Sequence, residues 1–95
     1  MKFEWDPEKA ATNLAKHGVT FTEAELVWQD PLHTVYFDRV EGRETRWWAV
    51  GVVPPSTTLV VVHMHPVPDD EEAVRIVGAR TATRREHKRY EEDNA

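Results

Sequence analysis

The sequence predicts an α+β domain, with helices near both ends of the chain and strands in the middle. Helix-start signals, in which a capping side chain is followed by acidic residues, occur close to both termini. Between them apolar and polar residues alternate with a period of two, and Gly- and Pro-containing turns separate the runs. We therefore expect an antiparallel sheet of four or five strands, two N-terminal helices on one of its faces, and a C-terminal helix.

The N-terminal segment is predicted to form a short strand followed by a helix. Lys2–Asp6 alternates in polarity, which is typical of a half-buried strand. Asp6 caps a helix that has proline at its first position and runs to about His17. Gly18 supplies a left-handed stop. The expected apolar stripe of this helix is narrow: Ala10, Ala11 and Leu14.

A second helix is predicted between Thr20 and Asp30. Thr20 and Glu23 fit a capping box, and Asp30-Pro31 ends the pattern. One face of this helix carries the apolar residues Phe21, Ala24, Val27 and Trp28.

The remaining elements are four strands and the last helix. The strands are predicted at 33–38, 46–53, 58–65 and 74–79. Strict alternation in the last strand puts Val74, Ile76 and Gly78 on one face and Arg75, Val77 and Ala79 on the other. Thr83 and Glu86 form a second capping box, and the helix that follows has Tyr90 as its single apolar anchor.

Composition restricts the class of protein. Ninety-five residues suffice for one domain, spanning 1–95, and 40% hydrophobic with 31% charged content is typical of a globular chain. There is no cysteine, no N-terminal apolar segment of a secretory signal, and no apolar run longer than 59–62. We expect a cytoplasmic protein that does not contact membranes.

His63 and His65 share a strand face, but two such ligands are a weak metal signal, and we expect no metal and no cofactor.

Positive charge is concentrated in one segment of an acidic chain. Residues 74–90 contain six Lys/Arg and one Glu, whereas the whole chain has a net charge of −5. Arginine presents a permanently charged, planar set of donors that suits phosphate recognition. Arg75 and Arg80, on or beside a strand, are the best-placed candidates for stabilising a pentavalent phosphate, while Arg84 and Arg85 on the helix are candidates for RNA binding.

Metal-independent RNA cleavage also needs groups that transfer protons. The candidates are His63, Tyr90 and Glu44, and histidine alone titrates near neutrality without help. His63 or Tyr90 is the expected base for the ribose 2′-hydroxyl. Lys16 and His17, at the end of the first helix, are further candidates for RNA binding, although the helix dipole alone would explain cations at this position. Each of these residues also has a purely structural interpretation, as a core, capping or solvated side chain.

Two long segments resemble the BrnT-type toxin family. F-E-W-D-P-E-K-A-A-T-N-L-A-K-H-G-V-T-F-T-E-A (Phe3–Ala24) is similar to its opening, and R-I-V-G-A-R-T-A-T-R-R-E-H-K-R-Y (Arg75–Tyr90) is similar to its closing motif, R-I-I-S-A-R-x-A-T-x-x-E-x-x-x-Y. Glu44–Arg46, Gly51 and Leu59–His63 also match. The polar positions of the family fall here on Lys16, His17, Glu44, Arg46, His63, Arg75, Arg80, Glu86 and Tyr90.

The resemblance implies a RelE-like fold and a type II toxin–antitoxin ribonuclease that inhibits translation by cutting RNA. It implies a cognate antitoxin that neutralises the toxin, and DNA contact only through the toxin–antitoxin complex. The chain departs from the family pattern at Gly78, where a serine is usual, and in the 65–72 loop, whose four acidic residues are expected to weaken activity. The alternative is a non-catalytic module that binds the antitoxin within an operator-binding complex.

Overall fold

The computed structural model describes all 95 residues as a five-stranded sheet with three α-helices. In chain order the elements are β1 (Lys2–Glu4), α1 (Pro7–His17), α2 (Phe21–Glu25), a 3₁₀ turn (Leu26–Gln29), β2 (Thr34–Glu41), β3 (Glu44–Val53), β4 (Thr57–Met64), β5 (Ala73–Thr81) and α3 (Arg84–Asp93). None of the three helices has the length and apolar composition needed to cross a bilayer.

The sheet has the order β1-β5-β4-β3-β2, so β1 and β2 form its two edges. The predicted α+β class and the strand count are confirmed. The sheet is mixed rather than wholly antiparallel, because β1 pairs in parallel with β5. The first strand of the chain, β1, therefore lies next to the last strand, β5, and forms an edge of the sheet.

The caps predicted from the sequence are formed. The Asp6 carboxylate accepts from the backbone N–H of Glu8, and Gly18 ends α1 with φ of 70°. Both predicted capping boxes are complete, Thr20 with Glu23 in α2 and Thr83 with Glu86 in α3.

The second predicted helix divides into α2 and the 3₁₀ turn, although its apolar face is as expected. Phe21, Ala24 and Val27 are buried. The turn lies so close to β3 that a Cβ on Gly51 would come within 3.0 Å of a Val27 methyl group. Glycine at this position therefore allows the close packing of the turn against the strand.

The apolar stripe predicted for α1 was only partly correct: Ala10 packs against the core, but Ala11 and Leu14 are exposed and Asn13 is the buried residue. The Asn13 amide donates to the carbonyls of Val19 and Ala79, at 3.0 and 2.8 Å, and its oxygen accepts from the Ala79 N–H at 3.1 Å. The side chain thus satisfies the free edge of β5 beyond the point where β1 ends. A hydrogen-bonding requirement, rather than an apolar stripe, decides which face of α1 meets the sheet.

The core lies between the sheet and the N-terminal helices. We call the covered side of the sheet the helix face; its buried residues include Ala49, Val61, Val74 and Ile76. A smaller cluster on the opposite side joins Val50 and Val60 to Tyr90 of α3. We call this second side the open face, because α3 is the single helix packed on it.

Candidate nucleic-acid interface

The side chains of the open face follow from the register of the central strand β4. Val60 packs under Tyr90, whereas its neighbour Val61 belongs to the core on the helix face. Since successive side chains of a strand alternate, Val62 and Met64 share the open face with Val60. The open face therefore continues beyond the part of the sheet that α3 covers.

A β-bulge places both candidate arginines on this open face. Arg80 lies opposite Val60 and Arg75 lies opposite Met64. They are five positions apart in the sequence, and strict alternation would have put them on opposite faces. Val62 pairs with Gly78 and His63 with Ile76, so Val77 is an extra residue without a partner on β4. The same bulge moves Ala79 to the helix face, which corrects the strict alternation predicted for β5.

Trp48 and Arg46 of β3 complete the surface. Trp48 lies opposite Val62, and Arg46, two residues earlier, shares its face. The Arg80 guanidinium lies 5.4 Å from the centre of the Trp48 ring, within cation–π range. We refer to these residues as the arginine patch: Arg46, Trp48, Val62, Met64, Arg75 and Arg80.

Each arginine of the patch is paired with a carboxylate. Arg80 donates from both terminal nitrogens to Glu86, at 2.7 and 2.8 Å. Arg75 donates to Glu4 at 3.1 Å, and Arg46 lies 3.1 Å from Glu41. An anion that binds the patch must therefore replace these carboxylates.

The Arg80–Glu86 pair is the tightest of the three electrostatically. The hydrogen bonds from Arg80 lower the pKa of Glu86 to about 2, and in turn the pKa of Arg80 is raised. Arg46, by contrast, keeps a buried Nε–H without any partner. A buried donor of this kind costs about 1–3 kcal/mol of stability.

His63 lies away from the patch. It pairs with Trp47 and Ile76 on the helix face and is 1% exposed. Its ring meets Trp28 edge-on at 4.9 Å, and its Nδ1 lies 3.2 Å from the Val61 carbonyl. Burial lowers the pKa of His63 to about 4, so the ring is neutral at pH 7.

Tyr90 is the buried anchor of α3, as the sequence indicated. Its hydroxyl donates to the Asp30 carboxylate at 2.6 Å, and Asp30 also accepts from the Val52 N–H. Burial, followed by the bond to Asp30, raises the pKa of Tyr90 to about 12. Tyr90 therefore packs on the open face over Val60, the residue opposite Arg80, with its hydroxyl bound to Asp30, whereas His63 lies on the other face of the sheet.

The other predicted residues are exposed and lie in three places. Glu44 begins β3 and, by alternation, shares the open face with Arg46. Arg84 and Arg85 occupy the first turn of α3. Lys16 and His17 line a shallow depression of about 480 Å³ beside α1, on the other side of the molecule from the patch.

His87 is a candidate that the sequence reasoning missed. Its Nδ1 lies 2.5 Å from the Thr58 hydroxyl, and its ring stacks at 6.2 Å from Tyr90. The spacing of three residues to Tyr90 was the available signal, because it puts both rings on the sheet side of α3.

A cavity of about 380 Å³ opens on the helix face at the end that α1 and α2 leave uncovered. His33, His63 and His65 line it together with Glu71 and Glu72 of the acidic loop. No group of three or more His, Asp or Glu side chains is arranged to hold a metal ion. The two loop carboxylates thus lie with helix-face residues, not in the arginine patch.

This is a small α+β domain with arginines and a tryptophan on an open sheet face, and these are the residue types that polyanion-binding surfaces use. Residues 5–86 match the family model described as the ribonuclease toxin BrnT of type II toxin–antitoxin systems, and the chain belongs to this family. No curated protein matches the chain. Among solved structures it is similar to the ribonuclease toxin BrnT of Brucella abortus, with 26% identity, a TM-score of 0.61, and coverage of 88% of this chain and 99% of that one.

Proposed function

We propose that this chain is a metal-independent endoribonuclease toxin that cleaves RNA on the arginine patch and is neutralised by a cognate antitoxin. The observation that carries the proposal is the position of three arginines from β3 and β5 on the open face that also carries Trp48, whose ring lies 5.4 Å from the Arg80 guanidinium. Family membership supplies the ribonuclease class. DNA contact is assigned to the antitoxin complex, because a net charge of −5 opposes duplex binding by the chain alone.

In this proposal Trp48 contacts a base of the RNA and the arginines contact its phosphates. The indole is partly buried against the Val50, Val60 and Tyr90 cluster and has Arg80 beside its ring; a base that stacks on its accessible part would gain about 1–3 kcal/mol, independent of sequence. Arg75 and Arg80 are four β4 positions apart, which corresponds to about 13 Å. The scissile phosphate would replace Glu4 at Arg75, which is the arginine nearer to Glu44 in the register, and a neighbouring phosphate of the same strand would replace Glu86 at Arg80.

Glu44 is the proton acceptor in this proposal. It is exposed and shares the open face with Arg46, whereas His63 and Tyr90 are buried and already hydrogen-bonded. The carboxylate takes the proton of the ribose 2′-hydroxyl, and the 2′-oxygen then forms a bond to phosphorus. The bond to the 5′-oxygen breaks and that oxygen takes up a proton, which leaves a 2′,3′-cyclic phosphate. The arginines stabilise the negative charge of the pentavalent intermediate.

Cleavage of a defined RNA by purified protein in excess EDTA tests the assignment. Arg75→Ala and Arg80→Ala should each lower the rate about 100-fold, equivalent to roughly 3 kcal/mol of transition-state stabilisation. Lys9→Ala, which removes an exposed cation from α1, is the matched control and should cleave at the wild-type rate. End-group analysis should detect the cyclic phosphate. Wild-type rates in both arginine variants, or activity that disappears with EDTA, would contradict the proposal.

A second candidate function is a non-catalytic antitoxin-binding module, favoured by the fact that every arginine of the patch is already paired with a carboxylate. Expression of the chain alone in a bacterium distinguishes the two. Growth arrest that the antitoxin relieves supports the toxin. Unaffected growth with retained antitoxin binding supports the module.

A further inference from the structure

A second surface, on the opposite side of the molecule from the arginine patch, exposes apolar side chains next to a cavity. Phe37, Val35 and Met1 are 60%, 45% and 56% exposed. Met1 and Val35 line the 380 Å³ cavity, and Phe37 meets Trp47, another lining residue, edge-on at 5.9 Å. We call Met1, Trp28, Val35, Phe37 and Trp47 the Phe37 surface.

The Phe37 surface includes the free edge of the sheet. β2 is the terminal strand, eight residues long, and it pairs with β3 alone. An exposed edge with apolar side chains is a site for the addition of another strand. The bulge after Phe37 disturbs the pairing with β3 towards the hairpin, but Val35 and Phe37 lie in the regular part.

The charge around the Phe37 surface is negative. Glu71 and Glu72 line the cavity, and Asp69 and Asp70 precede them in the same loop. The Met1 ammonium group, 3.4 Å from Glu72, offsets one of these charges. His63 of β4 also lines the cavity, but it adds no positive charge at pH 7 because burial lowers its pKa to about 4. A second copy of this chain would bring two acidic loops together, which disfavours self-association here and favours a basic partner.

We propose that the Phe37 surface binds an extended segment of the cognate antitoxin that carries apolar anchors and flanking Lys or Arg residues. This inference rests on the proposed function, since it names where and by what chemistry the neutralising partner is held. The segment adds to β2 and inserts an apolar side chain into the cavity between Trp28 and Trp47. Its basic residues pair with Glu71 and Glu72.

The test measures binding of the purified cognate antitoxin, together with growth in cells that express both proteins. Phe37→Glu should weaken binding about 30-fold or more, as expected for an apolar anchor. Leu14→Glu, which changes a 48% exposed apolar residue on α1, is the matched control and should bind like wild type. The pair Glu71→Lys and Glu72→Lys should weaken binding about tenfold through lost charge complementarity. Phe37→Glu and the Glu71→Lys, Glu72→Lys variant should both still arrest growth, and their growth arrest should persist when the antitoxin is expressed with them.

The rival docking site is the basic surface of α3. If Arg85→Glu with Lys88→Glu abolished antitoxin binding while Phe37→Glu bound normally, the assignment to the Phe37 surface would be wrong. It would also be wrong if wild type formed dimers in solution that Phe37→Glu dissociated without any change in antitoxin affinity. If wild type neither arrested growth nor cleaved RNA, the proposed function would fail instead. The binding comparison between Phe37→Glu and Leu14→Glu still decides the location of the interface in that case.

Discussion

Substitution of Glu86 by glutamine isolates the charge of the Arg80–Glu86 pair. Glutamine can still accept from the backbone of Thr83, so the capping box survives and only the carboxylate charge is removed. Since hydrogen bonds from Arg80 lower the pKa of Glu86 from 4.5 to about 2, the pair stabilises the folded state at neutral pH. The full shift would correspond to roughly 3 kcal/mol, and solvent screening at this partly exposed site reduces the expected contribution to about 1–2 kcal/mol.

The pH dependence of this contribution follows from the direction of the shift. A carboxylate whose folded pKa is depressed contributes fully above its unfolded pKa of 4.5, and the contribution is lost as the pH falls towards 2. Urea unfolding of wild type and Glu86→Gln at pH 7, 4.5, 3 and 2 should therefore give a difference that shrinks below pH 4.5. Glu23→Gln alters the other capping box, which has no arginine partner, and serves as the control. A difference between wild type and Glu86→Gln that is absent at pH 7, or constant across this range, would refute the reasoning.

Three further predictions concern the framework that holds the arginine patch. Asn13→Ala should lower the free energy of unfolding by about 2–4 kcal/mol, because it leaves the N–H and C=O of Ala79 unpaired, whereas the exposed Thr12→Ala should change it little in the same urea titration. Tyr90→Phe removes the hydroxyl bond to the Asp30 carboxylate and should cost about 1–2 kcal/mol in thermal or urea unfolding. Gly78→Ser restores the usual family residue; its Cβ would meet only the Asn13 oxygen at 3.7 Å, so stability should stay within about 0.5 kcal/mol of wild type.

Local sequence signals predicted the helix ends because their physical causes are local. Thr83 and Glu86 lie three residues apart and satisfy each other's backbone donors regardless of the rest of the fold. The same holds for Gly18, whose positive φ ends α1. Alternation likewise identified the strands, and the solitary apolar residue of α3, Tyr90, correctly indicated how that helix is anchored.

The features that the sequence did not predict depend on pairing between residues that are far apart in the chain. Nothing near Val77 in the sequence marks it as an extra residue, since a bulge is defined by the partner strand β4. Asn13 was overlooked for the same reason: two of its three hydrogen bonds are made with the distant Ala79, and the third is made with Val19. The composition of the candidate patch was partly predictable, as Arg75 and Arg80 show. Their placement on one face, and the absence of His63 from it, depend on strand register.

The bulge at Val77 puts the two arginines of the proposed chemistry on one face of the sheet. Edge strand β2 contributes side chains both to that open face and to the proposed docking surface. Val35 and Phe37 of β2 lie on the helix face, while Tyr36 lies opposite Trp48 on the open face and beneath the Arg89 guanidinium, 4.1 Å away. An antitoxin segment added to β2 would therefore border both faces at once. Neutralisation would then require only a contact at the rim of the patch, and Arg75 and Arg80 would keep their pairing with Glu4 and Glu86 in the bound toxin.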